Sequence, residues 1–169
     1  IQAARLYPHG RFYGFDIAHV MLDTAGQSIR QAGLAERITI THGDATSFNT
    51  GALFGQEKFE RIFISYSLSM IPGWRETLDL AINALAPGGA LLIADFYDCR
   101  NVPAPLRKLL SLWLHLFDVS PRHNLESVFQ DLAGQYHLKV DFQSLYGGYA
   151  ACAMVRKPHT PASQHRQAA

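Results

Sequence analysis

Two carboxylates at the ends of apolar segments offer the clearest chemistry in this sequence. Asp16 closes "RFYGFDI", a short apolar run that reads as a β-strand. Asp44, in "HGDA", closes the next one, "RITITHGDA", where Ile38 and Ile40 alternate. In open α/β sheets ligands bind beyond the carboxyl ends of the strands, so both acids fall on one rim. A carboxylate at the first position can accept hydrogen bonds from both hydroxyls of a ribose. One at the second can accept the exocyclic amine of adenine, with the backbone N–H of Ala45 meeting a ring nitrogen. Each acid has a structural alternative: Asp16 as the N-cap of the following helix, Asp44 as a turn residue after Gly43. Two acids at successive strand ends favour a nucleoside site.

The elements that would position these acids alternate between strand and helix, the mark of an α/β fold with a mainly parallel sheet. The helix after Asp16 carries Val20, Leu22, Ala25, Ile29 and Ala32 and stops at Gly33. "FERIFISYS" is nearly continuous apolar, as expected of a strand buried on both faces. A helix follows from about Trp74 to Leu85, "APGG" ends it, and "ALLIADFY" reads as another buried strand. Further on, Leu106, Leu109, Leu110, Trp113, Leu114 and Phe117 form a helical apolar stripe, with Arg107, Lys108, Ser111 and His115 opposite. The next helix, with Asn124 as its N-cap, puts Leu125, Val128, Phe129 and Leu132 on its inner face. "LKVDFQSLY" and "YAACAMVRK" flank Gly147 and Gly148 as an antiparallel hairpin. The domain is expected over residues 1–157, with a polar, disordered tail over 158–169.

Composition narrows the function classes. The 169 residues, 48% hydrophobic and 17% charged, suffice for one globular domain. A formal net charge of +1 with no basic stripe argues against nucleic acid as a partner. Cys99 and Cys152 have neither a disulfide framework nor metal-ligand spacing, and read as reduced cysteines of a cytoplasmic protein. The sequence shows no signal peptide and no apolar run long enough to span a bilayer. It begins at Ile1, and "IQAARLYPHG" reads as the end of a helix with a Pro/Gly stop, so truncation at the N-terminus is expected.

"GFDIAHVMLDTA", "GDA", "FERIFISYSLSMIP" and "LAPGGALLIADF" occur in the order and spacing of class I S-adenosylmethionine-dependent methyltransferase motifs. The resemblance covers roughly residues 1–157. It implies a Rossmann-like domain whose mainly parallel sheet ends in an antiparallel hairpin, with S-adenosylmethionine as cofactor. By it Asp16 would hold the cofactor's ribose, Ile17 and Met21 would pack on the adenine, and Asp44 with Ala45 would bind the adenine edge. The family's first strand and glycine-rich loop have no counterpart here. The sheet is therefore expected to lack its middle strand, and the chain alone to fold poorly. More narrowly, "SYSLSMIPGW" resembles the diacylglycerylhomoserine N-methyltransferases of betaine-lipid synthesis, which trimethylate the amino group of a homoserine-headed lipid. "DFYD", "LWLHLFDVSPRHNLE" and "GGYA" are also similar to that family.

Methyl transfer from a sulfonium is an in-line displacement, for which the protein mainly supplies position and charge balance. An acceptor nitrogen must be neutral when it attacks, and desolvation in a closed pocket lowers its pKa. Tyr66 and Ser67, just past the central strand, are expected to contact the amine by accepting a hydrogen bond from its N–H. The alternative is that Tyr66 packs under the next helix and Ser67 begins a turn. Asp95 and Asp98 end the following strand near the same rim, and His115 is a further proton-acceptor candidate. A homoserine carboxylate calls for a strong donor, for which an arginine fork is suited. Of Arg75, Arg100 and Arg122, Arg122 is expected to bind it, since its segment shares the family resemblance; the alternative is a surface arginine paired with Glu126 one turn on. The implied partners are a lipid or small-molecule amine substrate and, if the 105–117 helix borders a lipid-access groove, a membrane surface met peripherally; the alternative is that this helix is buried between the sheet and its neighbours. The competing functions are a nicotinamide-dependent oxidoreductase, a degenerate methyltransferase-like subunit, and a methyltransferase for another amine such as phosphatidylethanolamine.

Overall fold

The computed structural model describes residues 1–103, 105, 108, 110, 112 and 119–159. They form two compact units: one of residues 1–57 and 73–80, the other beginning at 58–72 and resuming at 81.

The first unit contains α1 (Gln2–Leu6), β1 (Phe12–Asp16), α2 (His19–Gln31), β2 (Ile38–His42), α3 (Thr50–Phe54) and the start of α4 (Trp74–Ala84). β1 and β2 are parallel, in register from Phe12 opposite Ile38 to Asp16 opposite His42. Parallel neighbours need a crossover, which α2 provides. Ala4, Ile29 and Leu34 are buried here, with Phe12, Ala32, Ile38 and Ile40 packed against them. Only the far end of the α2 stripe reaches this core, since Val20 is 75% exposed. Gly33, at φ +68°, ends α2 as its position in the sequence implies. Arg37 closes α1 by donating to the carbonyls of Ala4, Tyr7 and Pro8 at 2.7, 3.1 and 2.9 Å. Helix α3 is an addition to the sequence reading. It starts where Asn49 Oδ1 accepts the Ala52 N–H at 2.9 Å and stops at Gly55, φ +65°.

The second unit contains β3 (Phe59–Ser65), a 3₁₀ turn (Leu68–Met70), the end of α4, β4 (Leu85–Phe96), α5 (Leu125–Tyr136), β5 (Lys139–Leu145) and β6 (Ala150–Arg156). Its sheet order is β3-β4-β6-β5. β3 and β4 are parallel, whereas β6 is antiparallel to both β4 and β5. The hairpin expected at the end of the sheet is therefore present, turning through Tyr146–Gly148. Gly148 sits at φ +88°, and a Cβ on it would stand 2.5 Å from Asp98 Oδ1 and 3.0 Å from the Arg100 nitrogen. α5 buries Leu125, Val128, Phe129 and Leu132, the four residues expected. Asn124 holds the N-cap position but makes no side-chain capping bond.

Two expectations need correcting. "APGG" does not precede the strand but lies within it: Phe59 pairs with Leu85, Arg61 with Ala90, and the register shift between them absorbs Ala86–Gly89 as a bulge. Gly88 takes φ +75°, and a Cβ on Gly89 would lie 2.8 Å from the Ala86 carbonyl oxygen. Nor is β3 buried on both faces. Glu60, Arg61, Phe63 and Ser65 are exposed, because among the described residues β3 pairs only with β4 and is an edge strand with one open face.

Most of the helix expected over 105–117, including Arg107 and His115, lies outside the described residues, as do residues 160–169. Among the described residues no helix is long and apolar enough to cross a membrane, and no cluster of His, Cys, Asp or Glu could hold a metal ion.

Candidate functional site

Because β1 and β2 are parallel neighbours, their carboxyl ends open on one edge of the first unit. The chain leaves β2 tightly: the Gly43 N–H donates to the Asp16 carbonyl at 3.1 Å. A Cβ on Gly43 would stand 3.2 Å from both Leu53 Cδ1 and Phe15 Cδ2, so a side chain at this step would require those neighbours to shift.

Asp16 is half-buried, and its Oδ1 accepts the Ala18 N–H at 2.8 Å. Ala18 is itself the N-cap of α2, so Asp16 shapes the turn leading into the helix rather than capping it. Asp44 is exposed, and its Oδ1 accepts both the backbone N–H and the hydroxyl of Thr46, at 2.8 and 2.7 Å. Those two bonds favour the charged form and hold the carboxyl below the ordinary aspartate value. Among the described residues neither Oδ2 receives a hydrogen bond. Ile17 and Met21 are 63% and 58% exposed, so neither belongs to the core. Ala45 is half-buried directly after Asp44. The first unit places Asp16 and Ile17 at the end of β1, Met21 in α2, and Asp44 and Ala45 just past the end of β2. It adds a feature the sequence reading missed: the rings of His19 and His42 stack at 4.4 Å and 9°. Their only sequence signal is proximity, one shortly after Asp16 and the other just before Gly43.

The second unit presents Tyr66 and Ser67 at the end of β3. Tyr66 has φ +50°, a left-handed conformation that is uncommon for a residue with a side chain. Its N–H donates to the Ala94 carbonyl at 2.7 Å. Its ring meets Phe96 edge-on at 5.1 Å, and Phe96 in turn meets Tyr149 at 5.4 Å. Burial raises the phenol above its ordinary value, aided by its neighbours Tyr149, Cys152, Tyr146 and Asp95. Ser67 stands at the start of the 3₁₀ turn without a side-chain capping bond. Arg122 donates from Nε and Nη2 to the Leu68 carbonyl at 3.4 and 3.3 Å, and from Nη2 to Ser69 and Ile71 at 3.2 and 2.8 Å. Desolvation lowers its pKa, and the charge of Asp95 works the other way.

Residues 1–138 match the sequence pattern of a methyltransferase domain. The chain belongs to that methyltransferase domain family. No curated protein sequence matches it. Solved structures with a similar fold include an O-methyltransferase family protein from Burkholderia thailandensis. That protein is 19% identical with a TM-score of 0.70, over 94% of this chain and 47% of its own. The [4+2]-cyclase SpnF is 14% identical with a TM-score of 0.69, over 94% of this chain and 70% of its own. An O-methyltransferase family 2 protein from Planctomyces limnophilus, in complex with apigenin, is 23% identical with a TM-score of 0.66, over 91% and 45%. The chain spans about half the length of the two O-methyltransferase family proteins. At these identities the likeness lies in the fold, and a cyclase among the neighbours shows that this fold does not dictate one reaction.

The remaining polar candidates of this methyltransferase domain have structural engagements. Asp95 is fully buried, accepting the Ser69 N–H at 3.1 Å on Oδ2 and the Phe96 N–H at 2.7 Å on Oδ1. Asp98 accepts the Arg100 N–H at 3.0 Å and pairs with Arg100 Nε at 2.7 Å. Arg75 lies over the Trp74 ring at 5.1 Å. The Nε–Nη2 edge of Arg122, one of the two edges a carboxylate clamp could use, faces backbone carbonyls.

Proposed function

We propose that this methyltransferase domain binds S-adenosylmethionine at the β1–β2 rim and methylates the amino group of a homoserine-headed lipid. The observation that carries the reading is that Asp16, at the end of β1, and Asp44, just past the end of the parallel β2, each keep an Oδ2 without a hydrogen bond among the described residues, with Ile17 and Met21 exposed. Acceptors of this kind suit the donors of a nucleoside. Asp16 is suited to the ribose hydroxyls, Asp44 to the adenine amine, the Ala45 N–H to a ring nitrogen, and Ile17 with Met21 to the face of the base. When bound, the cofactor supplies a methyl group already activated on a sulfonium.

The amine acceptor rests on the resemblance of "SYSLSMIPGW" to the betaine-lipid enzymes, and Tyr66 is consistent with it. A phenol with a raised pKa stays protonated near neutrality and acts as a hydrogen-bonding group rather than a base. Its oxygen can accept a bond from a neutral amine N–H and orient the lone pair. An oxygen acceptor is the second reading, favoured by the O-methyltransferase neighbours and the apigenin bound to one of them. Alcohols and phenols are helped by a base, and Asp95 is buried with both oxygens engaged.

The test is transfer of a labelled methyl group to diacylglycerylhomoserine, phosphatidylethanolamine or apigenin, each offered separately. The expected product is the trimethylated homoserine lipid. Methylation of apigenin or phosphatidylethanolamine in its place would overturn the acceptor. Tight S-adenosylhomocysteine binding with no turnover on any amine would favour a degenerate subunit.

A further inference from the structure

We infer that Arg122 and Asp95 are positioning residues which clasp the turn after β3 from its donor and acceptor sides, and so fix where Tyr66 stands. Its structural part is independent of the proposed acceptor, which enters only through the activity readout.

The turn over Leu68–Met70 is a single 3₁₀ piece. So short an element leaves most of its N–H and C=O groups without partners of its own. Leu68 and Ser69 are 0% and 1% exposed, which largely denies those groups water. Asp95 meets the donor side through the Ser69 N–H. Arg122 meets the acceptor side, gathering the carbonyls of Leu68, Ser69 and Ile71. Ser69 is thus held through its N–H by an anion and through its C=O by a cation. The Ser120 N–H adds a bond to the same Ser69 carbonyl at 3.1 Å, tying the segment before α5 to the turn. Ser69 Oγ is buried with no hydrogen-bond partner among the described residues, so this grip is on the backbone.

A desolvated guanidinium is costly alone, and the charge of Asp95 works to keep Arg122 in its charged form. Tyr66 lies just ahead of the clasp, in its left-handed conformation and bonded to Ala94. Such a conformation persists where its surroundings hold it, and the clasp fixes the chain on one side while β4 fixes it on the other.

Lysine separates this role from a substrate clamp. An ammonium has three donors that can serve three carbonyls, but it lacks the flat fork that grips a carboxylate. The experiment compares wild type, Arg122→Lys and Arg122→Gln by four readouts. These are hydrogen exchange at the Ser69 amide, a fluorine label on the Tyr66 ring, S-adenosylhomocysteine affinity, and kcat and KM with diacylglycerylhomoserine. Arg122→Gln is expected to speed Ser69 exchange and shift the Tyr66 signal. It should lower kcat about tenfold or more while leaving cofactor affinity within about twofold. Arg122→Lys is expected to restore kcat to within about threefold of wild type. If Arg122→Gln does not fold, Arg122→Lys decides by its kinetics: a KM near wild type supports the clasp and a raised KM overturns it. An unmoved Tyr66 signal in Arg122→Gln with a raised KM in Arg122→Lys would overturn the clasp in favour of a carboxylate clamp. Unchanged exchange and fluorine signals in both variants would overturn it outright. Failure of wild type to methylate the lipid would sink the proposed acceptor and leave the exchange and fluorine tests intact.

Discussion

Replacing Asp16 by asparagine tests the nucleoside rim while leaving the local turn in place. The Ala18 N–H bonds Oδ1 at 2.8 Å, and an asparagine carbonyl can accept it there. What changes is the charge and the second oxygen, which becomes an N–H donor. Two ribose hydroxyls that donate to a carboxylate would then lose one acceptor and the charge assistance to the other. A hydrogen bond to a charged group contributes about 1.5–3 kcal/mol. One bond lost and one weakened comes to about 2–3 kcal/mol, or roughly 30- to 150-fold in the Kd of S-adenosylhomocysteine. Asp16 lies at a strand end outside the hydrophobic core, so folding stability should move by less than about 0.5 kcal/mol. Calorimetric titration of both proteins, beside thermal melts, makes the measurement. Affinity within twofold of wild type, with an unchanged melt, refutes the ribose assignment. A loss of affinity accompanied by an equal loss of stability assigns Asp16 to the turn instead.

Thr46→Val removes the hydroxyl bond to Asp44, so the Asp44 carboxyl should titrate closer to the ordinary aspartate value, as read by carbon NMR. Because the folded-state pKa is lowered, the Asp44 contribution to stability is full above the unfolded aspartate value. It is lost as pH falls through the lowered value, so melts of wild type and Asp44→Ala should converge on acidification. Gly148→Ala combines a φ of +88° with a Cβ crowding Asp98 and the Arg100 backbone, and should cost about 2 kcal/mol or more in a denaturant melt. Arg107→Glu combined with Lys108→Glu should weaken co-sedimentation with anionic phosphatidylglycerol vesicles, and equal binding would remove the membrane role from that segment.

Elements were legible wherever the apolar pattern had one structural solution. The α5 pattern at Leu125, Val128, Phe129 and Leu132 and the two glycines between β5 and β6 each admitted a single reading, and the structure has it. The failures have a shared cause, because composition does not reveal what covers a segment. "FERIFIS" has the apolar content of a two-faced strand, yet β3 has β4 as its only described neighbour and leaves Phe63 66% exposed. "APGG" has the residues of a turn, and only the pairing of Phe59 with Leu85 ahead of it makes it a bulge. Helix α3 is too short to show a period. Its markers are a side-chain bond from Asn49 and a left-handed Gly55, both visible in the sequence only as isolated polar and glycine residues.

The site residues divide along a different line. For Asp16 and Asp44, the local and the ligand-binding readings compete only if a carboxylate is treated as one acceptor. It has two oxygens, and in both residues Oδ1 shapes the chain while Oδ2 takes no bond among the described residues. The turn bonds therefore hold each carboxyl while leaving one oxygen without a hydrogen bond among the described residues, so the structural alternative and the binding reading are compatible. Arg122 is the converse case. Its residue type suited a carboxylate, but its donors meet carbonyls of a turn more than fifty positions earlier, through bonds that no local spacing encodes. Arg37 does the same for α1 in the first unit. In both units, then, an arginine stabilises the carbonyl end of a helical segment of one turn or little more, and in the second unit burial also limits help from water. That is a demand created by the fold, and it becomes visible only once the distant carbonyls have been brought together.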